Sequence, residues 1–472
     1  MIMKLQSINP TTEKSIGKFK LYSEEMVADA VKKAQKSLKK WEDTNISKRE
    51  KIIKNFSKLL SKKKNEIAIL ITKEMGKPII ESEGEIEGSI SDTNWFVSKT
   101  KKFIQDEVLK LDVENTNAKI RFEPVGVVGL ITPWNFPIGT PIWKIIPALL
   151  TGNTVVFKPS ELSTFCGLKI GKLLKKAGIP EGVFNVVTGD GRTGKYLVTS
   201  KVNMISFTGS SKVGKDVFSK AGKGLKKVVL ELGGSDPFII FEDAIFEQTV
   251  NAAVFGRFLN CGQVCTAAKR IFVEKKIYDS FLESFVEKVK QLKIGDPLDR
   301  STEIGPIVSK KQLETLERQV RDAVSKGAKV LCGGKRARRK GYFYEPTVLT
   351  NVKQDMLVLK EEVFGPVASV LSFNSIKEAI NLANNTKYGL GASVWTQNKK
   401  TAEEMIKSIE SGMVWINDFG TPYPQCPQGG VKESGIGREM SKYGVLEFCN
   451  MKTVVNSRDK TIKKSWWFPY NE

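Results

Sequence analysis

The amino-acid sequence predicts an α/β protein built on parallel β-sheets. Its 472 residues exceed what one ordinary hydrophobic core holds, so two or three domains are expected. From Val125 onwards, short apolar runs alternate with helical stretches, which is typical of parallel sheets covered by helices. Each apolar run ends in a polar or glycine-rich turn, and ligands of such sheets bind outside the carboxyl ends of the strands. The pattern therefore predicts a binding crevice at one sheet edge.

The segment before this alternation is predicted to be helical over residues 23–110. Met26, Ala30 and Ala34 recur there at helical spacing. Two short strands are predicted at residues 108–113 and 120–122, on either side of a polar turn. A hairpin of this size cannot form its own core, so we expect it to pack on another part of the protein.

The alternating section contains five predicted strands, and each leads into a turn suited to a ligand. The strands are predicted at residues 125–131, 153–157, 183–188, 204–207 and 227–230. The turns after them are at residues 132–135, 158–161, 188–191, 208–211 and 231–234. Because the carboxyl ends of parallel strands share one edge, these turns are expected to converge.

One of these turns resembles a known phosphate-binding motif. Residues 209–216 nearly match the P-loop pattern, but Asp216 stands where the pattern needs a metal-binding hydroxyl, which excludes a P-loop NTPase. The remaining features are a strand, a turn and a helix N-terminus with Ser210 and Ser211. Together they predict a place for one phosphate group.

The composition excludes several kinds of catalytic and metal site. The chain has no histidine, so Ser-His-Asp and Cys-His arrangements and histidine-ligated zinc are ruled out. Its six cysteines lack paired metal-ligand spacing and follow no secretory leader, so we expect reduced thiols and a cytoplasmic protein. No apolar run approaches the roughly 18 residues that a membrane span needs. We therefore expect no metal and no membrane partner.

The net charge of +23 is the main argument for an alternative function, nucleic-acid binding. The 75 Lys and Arg residues are, however, interleaved with acidic residues along predicted helices. No zinc-finger spacing or aromatic-basic RNA motif is present. A solvated basic surface is the simpler interpretation, so no nucleic-acid partner is expected.

Residues 258–270 offer a candidate nucleophile, Cys265, in a polar turn that contains glycine. A free cysteine is more often a small buried hydrophobe, and on this stretch alone that interpretation is preferred. Glu231 ends an apolar run and precedes two glycines, which let the backbone approach a ligand closely. A thiol that attacks and a carboxylate that moves protons are the outline of covalent catalysis. Without histidine, proton transfer would fall to Glu, Asp, Lys, Tyr, Cys or water.

Six motifs in register resemble those of the NAD(P)-dependent aldehyde dehydrogenase superfamily. They are PWNFP at 133–137, KPSE at 158–161, FTGS at 207–210, ELGG at 231–234, GQVC at 262–265 and EVFGP at 362–366. The resemblance covers nearly the whole chain, and the six motifs together are highly specific. It implies an α/β fold of two Rossmann-like parallel-sheet domains, one cofactor-binding and one catalytic, plus a small β oligomerisation protrusion.

The resemblance also implies the domain bounds. The cofactor-binding domain is expected at residues 1–105 and 125–232, and the catalytic domain at 233–438. The oligomerisation segment and C-terminal tail are expected at residues 106–124 and 439–472. An edge strand near residues 452–455 and the aromatic tail would contact another subunit, so a homodimer or homotetramer is expected.

The resemblance implies a catalytic role for five residues. Cys265 would attack an aldehyde to give a thiohemiacetal, whose oxyanion the Asn135 amide and the Cys265 N–H would hold. Hydride transfer would leave a thioester, and Glu231 would activate the water that hydrolyses it. Lys144 and Glu439 occupy positions at which the family can relay the released proton.

The cofactor implied is NAD or NADP. The residues expected to bind it are Thr132, Trp134, Lys158, Ser160, Glu161, Gly209, Ser210, Gly214, Leu232, Gly233, Glu362 and Phe364. Glu161 would accept hydrogen bonds from ribose hydroxyls and repel a 2′-phosphate, which favours NAD. Lys158 and Ser160 would bind that phosphate if Glu161 turned away, so NADP stays open.

The implied substrate is a small aldehyde in a pocket with Trp143, Val264 and Thr266. Family members that oxidise succinate semialdehyde tend to carry an arginine at the position of Trp143, to hold the distal carboxylate. The aromatic side chain here indicates a neutral aliphatic or hydroxy-aldehyde. A carboxylated semialdehyde held by some other basic residue is the alternative.

Overall fold

The computed structural model describes residues 3–420, 422–460, 463, 464, 466–468 and 470. Residues 461, 462, 465, 469, 471 and 472 of the predicted C-terminal tail therefore lie outside the described residues.

The N-terminal part is an antiparallel hairpin followed by four helices. The helical spacing predicted the helices, whereas the hairpin was not predicted. The strands are β1 (Lys4–Ile8) and β2 (Ser15–Lys20), and the helices are α1 (Glu24–Glu42), α2 (Ile46–Lys62), α3 (Lys64–Met75) and α4 (Ile79–Phe103). Ser23 caps α1 by accepting a hydrogen bond from the Met26 N–H. Gly76, at φ +83°, ends α3 in the left-handed conformation that glycine adopts without strain.

The predicted hairpin after α4 is present with different bounds. Its strands are β3 (Glu107–Leu109) and β4 (Thr116–Pro124), and they pair antiparallel. The first strand is shorter than the 108–113 expected, because a turn with Asn115 at φ +55° occupies the polar stretch. The second strand of the hairpin also pairs with a strand of the C-terminal segment, described below, which completes a three-stranded sheet.

The first large sheet is formed by the alternating section. Its parallel strands are β5 (Val127–Ile131), β6 (Thr154–Lys158), β7 (Phe184–Val186), β8 (Met204–Thr208) and β9 (Lys227–Glu231). The helices between them are α5 (Gly139–Leu150), α6 (Thr164–Ala177), α7 (Gly191–Thr199) and α8 (Ser211–Gly222). Val128 and Leu130 pack towards α2 to α6, whereas Val127 and Ile131 pack towards α1, α7 and α8. The period of two in the strands therefore buries both faces.

The second large sheet follows, with its own core on both faces. Its elements are β10 (Asp236–Ile240), α9 (Phe246–Phe258), β11 (Ala268–Glu274), α10 (Tyr278–Gln291), α11 (Lys310–Ser325), β12 (Lys329–Cys332), β13 (Thr347–Thr350), α12 (Leu357–Lys360), β14 (Val367–Phe373), α13 (Ile376–Asn384), β15 (Tyr388–Gly389), β16 (Gly391–Trp395), α14 (Lys399–Ser408) and β17 (Met413–Ile416). The strand order is β12-β13-β14-β11-β10-β16-β17, and only β12 is antiparallel to its neighbour. Strand β15 lies outside this sheet.

The C-terminal segment returns to the earlier parts of the chain. It contains β18 (Val431–Lys432), β19 (Gly435–Ile436), α15 (Ser441–Glu447) and β20 (Cys449–Ser457). Strand β18 pairs with β15, β19 pairs antiparallel with β9, and β20 pairs with β4 over its full length. The α/β prediction with two parallel-sheet units is thus confirmed, and a three-stranded sheet β20-β4-β3 stands beside them. No described helix combines the length and apolar character needed to cross a membrane.

Candidate active site

A large cavity of about 990 Å³ lies at the carboxyl ends of the first sheet. All five turns predicted to converge contribute residues to its wall. The sequence-predicted site residues that line it are Thr132, Trp134, Asn135, Trp143, Lys158, Ser160, Glu161, Gly209, Ser210, Glu231, Leu232, Gly233, Val264, Cys265, Thr266, Glu362, Phe364 and Glu439. Two predicted residues do not reach the wall. Lys144 is fully buried behind it, and Gly214 lies under Leu232, which a Cβ on Gly214 would approach to 2.3 Å.

The turn that carries the candidate nucleophile has an unusual backbone. Asn260 and Cys261 adopt left-handed conformations at φ +52° and +54°, which cost free energy unless neighbouring contacts hold them. Asn260 Nδ2 donates to the carbonyl of Asn135 at 3.0 Å, and Asn135 Nδ2 donates to the carbonyl of Gln263 at 3.0 Å. These two bonds fasten the turn to the segment after β5 and fix the Asn135 amide beside it.

Cys265 contacts the cavity with a partly exposed side chain. Burial raises the pKa of its thiol to about 12, and the nearby carboxylates of Glu231, Asp236 and Glu362 act in the same direction. The ammonium of Lys269 opposes this rise. The protein alone therefore holds Cys265 as a thiol, and any thiolate depends on positive charge close to the sulfur.

Glu231 ends β9, where its backbone pairs with Thr208 on one side and Gly435 on the other. Its Oε1 is buried and has no hydrogen-bond partner among the described residues. Burial raises the pKa of this carboxyl to about 7, while Lys144 and Arg438 favour the ionised form. A carboxyl that titrates near neutrality on a cavity wall is suited to accept and release protons.

Behind Glu231 lies a buried ion pair. The Lys144 ammonium contacts Oε1 of Glu439 and donates to Ser206 Oγ at 3.0 Å. Burial lowers the pKa of Lys144, and the charge of Glu231 opposes that change. Glu439 also lines the cavity, so Glu231, Lys144 and Glu439 are neighbouring ionisable groups at the cavity wall and directly behind it.

One end of the cavity carries groups suited to a dinucleotide. Lys158 ends β6, and its Nζ lies 3.3 Å from Oε2 of Glu161, so the lysine is already paired with a carboxylate. Ser210 directly precedes α8 and caps it by accepting a hydrogen bond from the Val213 N–H. The N–H groups at a helix start attract anions such as phosphate.

The opposite side of this end is closed by Glu362 and Phe364. Glu362 Oε1 accepts a hydrogen bond from the Gly234 N–H at 3.1 Å. A Cβ on Gly233 would lie 2.4 Å from Glu362 Oε2, so only glycine permits this approach. Trp134 packs edge-on to Phe364 with ring centroids 5.4 Å apart. This cradle fits a bound nicotinamide dinucleotide, because a carboxylate, an aromatic wall and open backbone face one space.

The other end of the cavity contains acidic groups that were missed from the sequence. Asp92 on α4 accepts a hydrogen bond from Trp143 Nε1 at 2.8 Å, and burial raises the pKa of its carboxyl to about 6. Lys77 lies 2.5 Å from Glu85 and 3.8 Å from the centroid of the Phe136 ring. Asp92 comes seven residues, or about two helical turns, after Glu85. This spacing predicts that both carboxylates lie on the same face of α4.

Two further groups missed from the sequence are Lys269 and Asp236. Both are buried, and both affect the pKa of Cys265. The sequence offered one sign of Lys269, which is a lysine inside the apolar stretch of β11, directly after the nucleophile turn.

Among the described residues, no group of three or more potential ligands is placed to hold a metal ion. All six cysteines are free thiols.

Comparisons with known proteins show what this chain is similar to. A sequence model described as "Aldehyde dehydrogenase family" matches residues 3–454. The chain is 38% identical over 470 residues to the betaine aldehyde dehydrogenase of Bacillus subtilis, covering 98% of this chain and 95% of that protein. It is 38% identical over 455 residues to the NADP(+) succinate-semialdehyde dehydrogenase of Mycobacterium leprae, covering 96% of this chain and 99% of that protein.

A solved structure of similar fold also contains a bound dinucleotide. The betaine aldehyde dehydrogenase of Staphylococcus aureus, in complex with NAD+, superposes with a TM-score of 0.94 and 34% sequence identity. The match covers 98% of this chain and 93% of that one. The similarity in fold therefore extends over nearly the whole of both chains.

Proposed function

This chain belongs to the aldehyde dehydrogenase family, and on that premise we propose that it oxidises a small aldehyde to the carboxylic acid with NAD(P)+ through a covalent intermediate on Cys265. The observation that carries the proposal is that Cys265, Glu231 and Asn135 meet at one cavity. A nucleophile, a carboxyl that titrates near neutrality and an amide donor are the three groups that the reaction requires.

Attack on the aldehyde requires the thiolate of Cys265. When bound, the oxidised nicotinamide supplies a hydride acceptor and a positive charge. Cys265 attacks the carbonyl carbon, and the oxyanion forms beside the Asn135 amide, which Gln263 holds in place. Collapse of the oxyanion would pass the hydrogen of the same carbon, as hydride, to the acceptor that the bound nicotinamide would supply, and would leave a thioester on Cys265.

Hydrolysis of the thioester falls to Glu231. Its carboxylate takes a proton from water in the cavity, and the hydroxide attacks the thioester carbon and releases the acid. The contact between Lys144 and Glu439 offers a path by which that proton leaves the site. In a chain without histidine, this carboxylate and lysine series takes over proton transfer.

The proposed cofactor is NAD, with NADP as the alternative. The ion pair between Lys158 and Glu161 supports NAD, because the carboxylate would accept hydrogen bonds from the ribose hydroxyls and repel a 2′-phosphate. NADP would bind if Glu161 turned away and released Lys158. The relative from Mycobacterium leprae is named for NADP(+), and the structure from Staphylococcus aureus contains NAD+.

The proposed substrate is a neutral aliphatic or hydroxy-aldehyde. Of the described residues that line the cavity, the cationic ones are Lys77, Lys158, Lys195 and Lys220. Lys77, beside Phe136, is paired with Glu85, and Lys158 and Lys220 are paired with carboxylates near β6 and α8. A distal carboxylate near Trp143 would instead approach Asp92, which repels it. The succinate-semialdehyde relatives keep the carboxylated substrate as the second candidate.

We further propose assembly into a homodimer or homotetramer. Strand β20 is an edge strand of its sheet, and Met451 and Val455 on it are largely exposed, as is Val108 on β3. Trp466 and Phe468 in the tail are also exposed. Unpaired edges and large apolar side chains favour association with a second copy.

The first prediction concerns the nucleophile. Cys265→Ser is expected to lower kcat by more than about a thousandfold, because serine forms its anion far less readily than cysteine. Cys261→Ser is the matched control, since Cys261 is buried in the second core, and it should keep near-normal turnover. Reduction of NAD+ at 340 nm measures both, and substantial activity in Cys265→Ser would contradict the mechanism.

The second prediction separates the two chemical steps. Glu231→Gln is expected to keep a first-turnover burst of NADH and to lower steady-state turnover by about a hundredfold or more, because hydrolysis loses its base. In the unaltered protein, kcat should rise with pH through about 7 and then level off, because burial raises the pKa of Glu231 to about 7 and the base form lies above it. Stopped-flow absorbance measures the burst, and its absence would place Glu231 before hydride transfer.

The third prediction concerns substrate charge. Asp92→Asn is expected to raise kcat/KM for succinate semialdehyde by about tenfold relative to butanal, because a repulsion worth about 1.4 kcal/mol is removed. The amide keeps an oxygen for the Trp143 N–H, so the fold should be retained. If the unaltered protein already prefers the semialdehyde over butanal, the second substrate candidate is correct instead.

The fourth prediction tests the assembly. Met451→Lys with Val455→Lys is expected to release smaller species, because like charges would oppose pairing along the β20 edge. Deletion of residues 458–472 tests the aromatic tail separately and leaves β20 intact. Sedimentation velocity measures both, and an unaltered oligomer in both variants would show that neither feature holds the subunits together.

A further inference from the structure

We propose that Lys269 is a positioning residue of the reaction centre, which holds the nucleophile turn through its carbonyls and supplies the positive charge that favours the thiolate of Cys265. The inference rests on the proposed role of Cys265 and adds a residue to it.

The geometry around Lys269 places its ammonium directly under the nucleophile turn. Lys269 follows the first residue of β11 and is fully buried. Its Nζ donates to the carbonyl of Val264 at 2.9 Å and to the carbonyl of Cys265 at 2.5 Å. Both bonds end on the short turn that carries Cys265 at the cavity wall. Lys269 therefore limits how far that turn can move.

The charges around Lys269 explain why an ammonium is tolerated there. Its Nζ lies 3.8 Å from Oε1 of Glu362, and Asp236 is a second carboxylate nearby. Burial lowers the pKa of Lys269, Glu362 and Asp236 oppose that change, and Arg257 acts with burial. A buried cation persists only when it is paired and hydrogen-bonded, and Lys269 has both kinds of partner.

The positive charge of Lys269 opposes the effect that the nearby carboxylates have on the pKa of Cys265. Glu231, Asp236 and Glu362 all disfavour the thiolate of Cys265, and Lys269 is the cation that opposes them. Gly234 lies between the nucleophile turn and Asp236. A Cβ on Gly234 would lie 2.7 Å from the carbonyl oxygen of Cys265 and 2.8 Å from Oδ1 of Asp236. The Asp236 carboxylate is therefore close to the nucleophile turn. Without Lys269, Cys265 would face three carboxylates and no compensating protein charge from this side.

The test measures thiol reactivity without turnover. The rate at which iodoacetamide alkylates Cys265 follows the thiolate fraction, and tandem mass spectrometry separates it from Cys261. Lys269→Gln keeps amide donors for the two carbonyls but lacks the charge. It is expected to react about tenfold more slowly at every pH below 9, because one unit of pKa changes the thiolate fraction tenfold. The control is Lys276→Met, an exposed lysine paired with Glu242, which should react at the unaltered rate.

A second variant covers the case in which Lys269→Gln does not fold. Lys269→Arg keeps its charge at high pH, whereas the native ammonium loses its charge as pH rises. The alkylation rate of Lys269→Arg should therefore match or exceed that of the unaltered protein, with an advantage that grows with pH. Identical pH profiles for Lys269→Arg and the unaltered protein, or an unchanged rate in Lys269→Gln, would overturn the inference.

The same reagent separates this inference from the proposed function. If complete alkylation of Cys265 leaves the unaltered protein active with aldehyde and NAD+, then Cys265 is not the nucleophile and the proposed function fails. If alkylation abolishes activity but Lys269→Gln reacts at the unaltered rate, then only the role of Lys269 is wrong.

Discussion

The cost of burying charge governs the structure around the cavity. Cys265, Glu231 and Lys144 all have pKa values shifted towards their neutral forms, with burial as the largest cause in each. Glu231 and Lys144 are both shifted to a pKa of about 7, so a proton can move between these two groups at modest cost. Water-filled surroundings would return the carboxyl and amine to their ordinary values and remove that property. The packing of the two sheets around the cavity is what buries Glu231 and Lys144.

The two sheets contribute different things to the site. The first sheet ends in turns that present Lys158, Ser210 and Glu231 at one edge, as the topology of parallel strands requires. The second sheet positions the nucleophile, since β11 begins three residues after Cys265 and carries Lys269. Strand β19 joins the second half of the chain to β9 and pairs with Glu231 itself. The base is thus held by segments more than two hundred residues apart in the chain.

In this site without histidine, two buried lysines each have more than one polar partner. Lys144 has Glu439 and Ser206, and Lys269 has Glu362 and two carbonyls. The charge of Glu362 favours the ammonium form of Lys269 against burial, and the charge of Glu231 does so for Lys144. None of these groups is adjacent to its partner in sequence. Loss of either partner would leave an unpaired buried charge, which costs several kcal/mol.

The sequence by itself determined the fold class, the strand and turn pattern and the identity of the catalytic candidates. Local periodicity sets which residues enter strands, and motif spacing marks the turns at which Glu231 and Cys265 stand, so both were readable without coordinates. Lys269, Asp236 and Asp92 were missed, because their significance comes from burial beside groups that are distant in the chain. The first strand of the hairpin was predicted too long, since a polar turn overrides a marginal strand pattern. The second strand was predicted too short, because its pairing with β20 over its full length extends it. Only the tertiary structure decided which charges share the cavity, because desolvation and through-space Coulomb interactions depend on neighbours that no local pattern records.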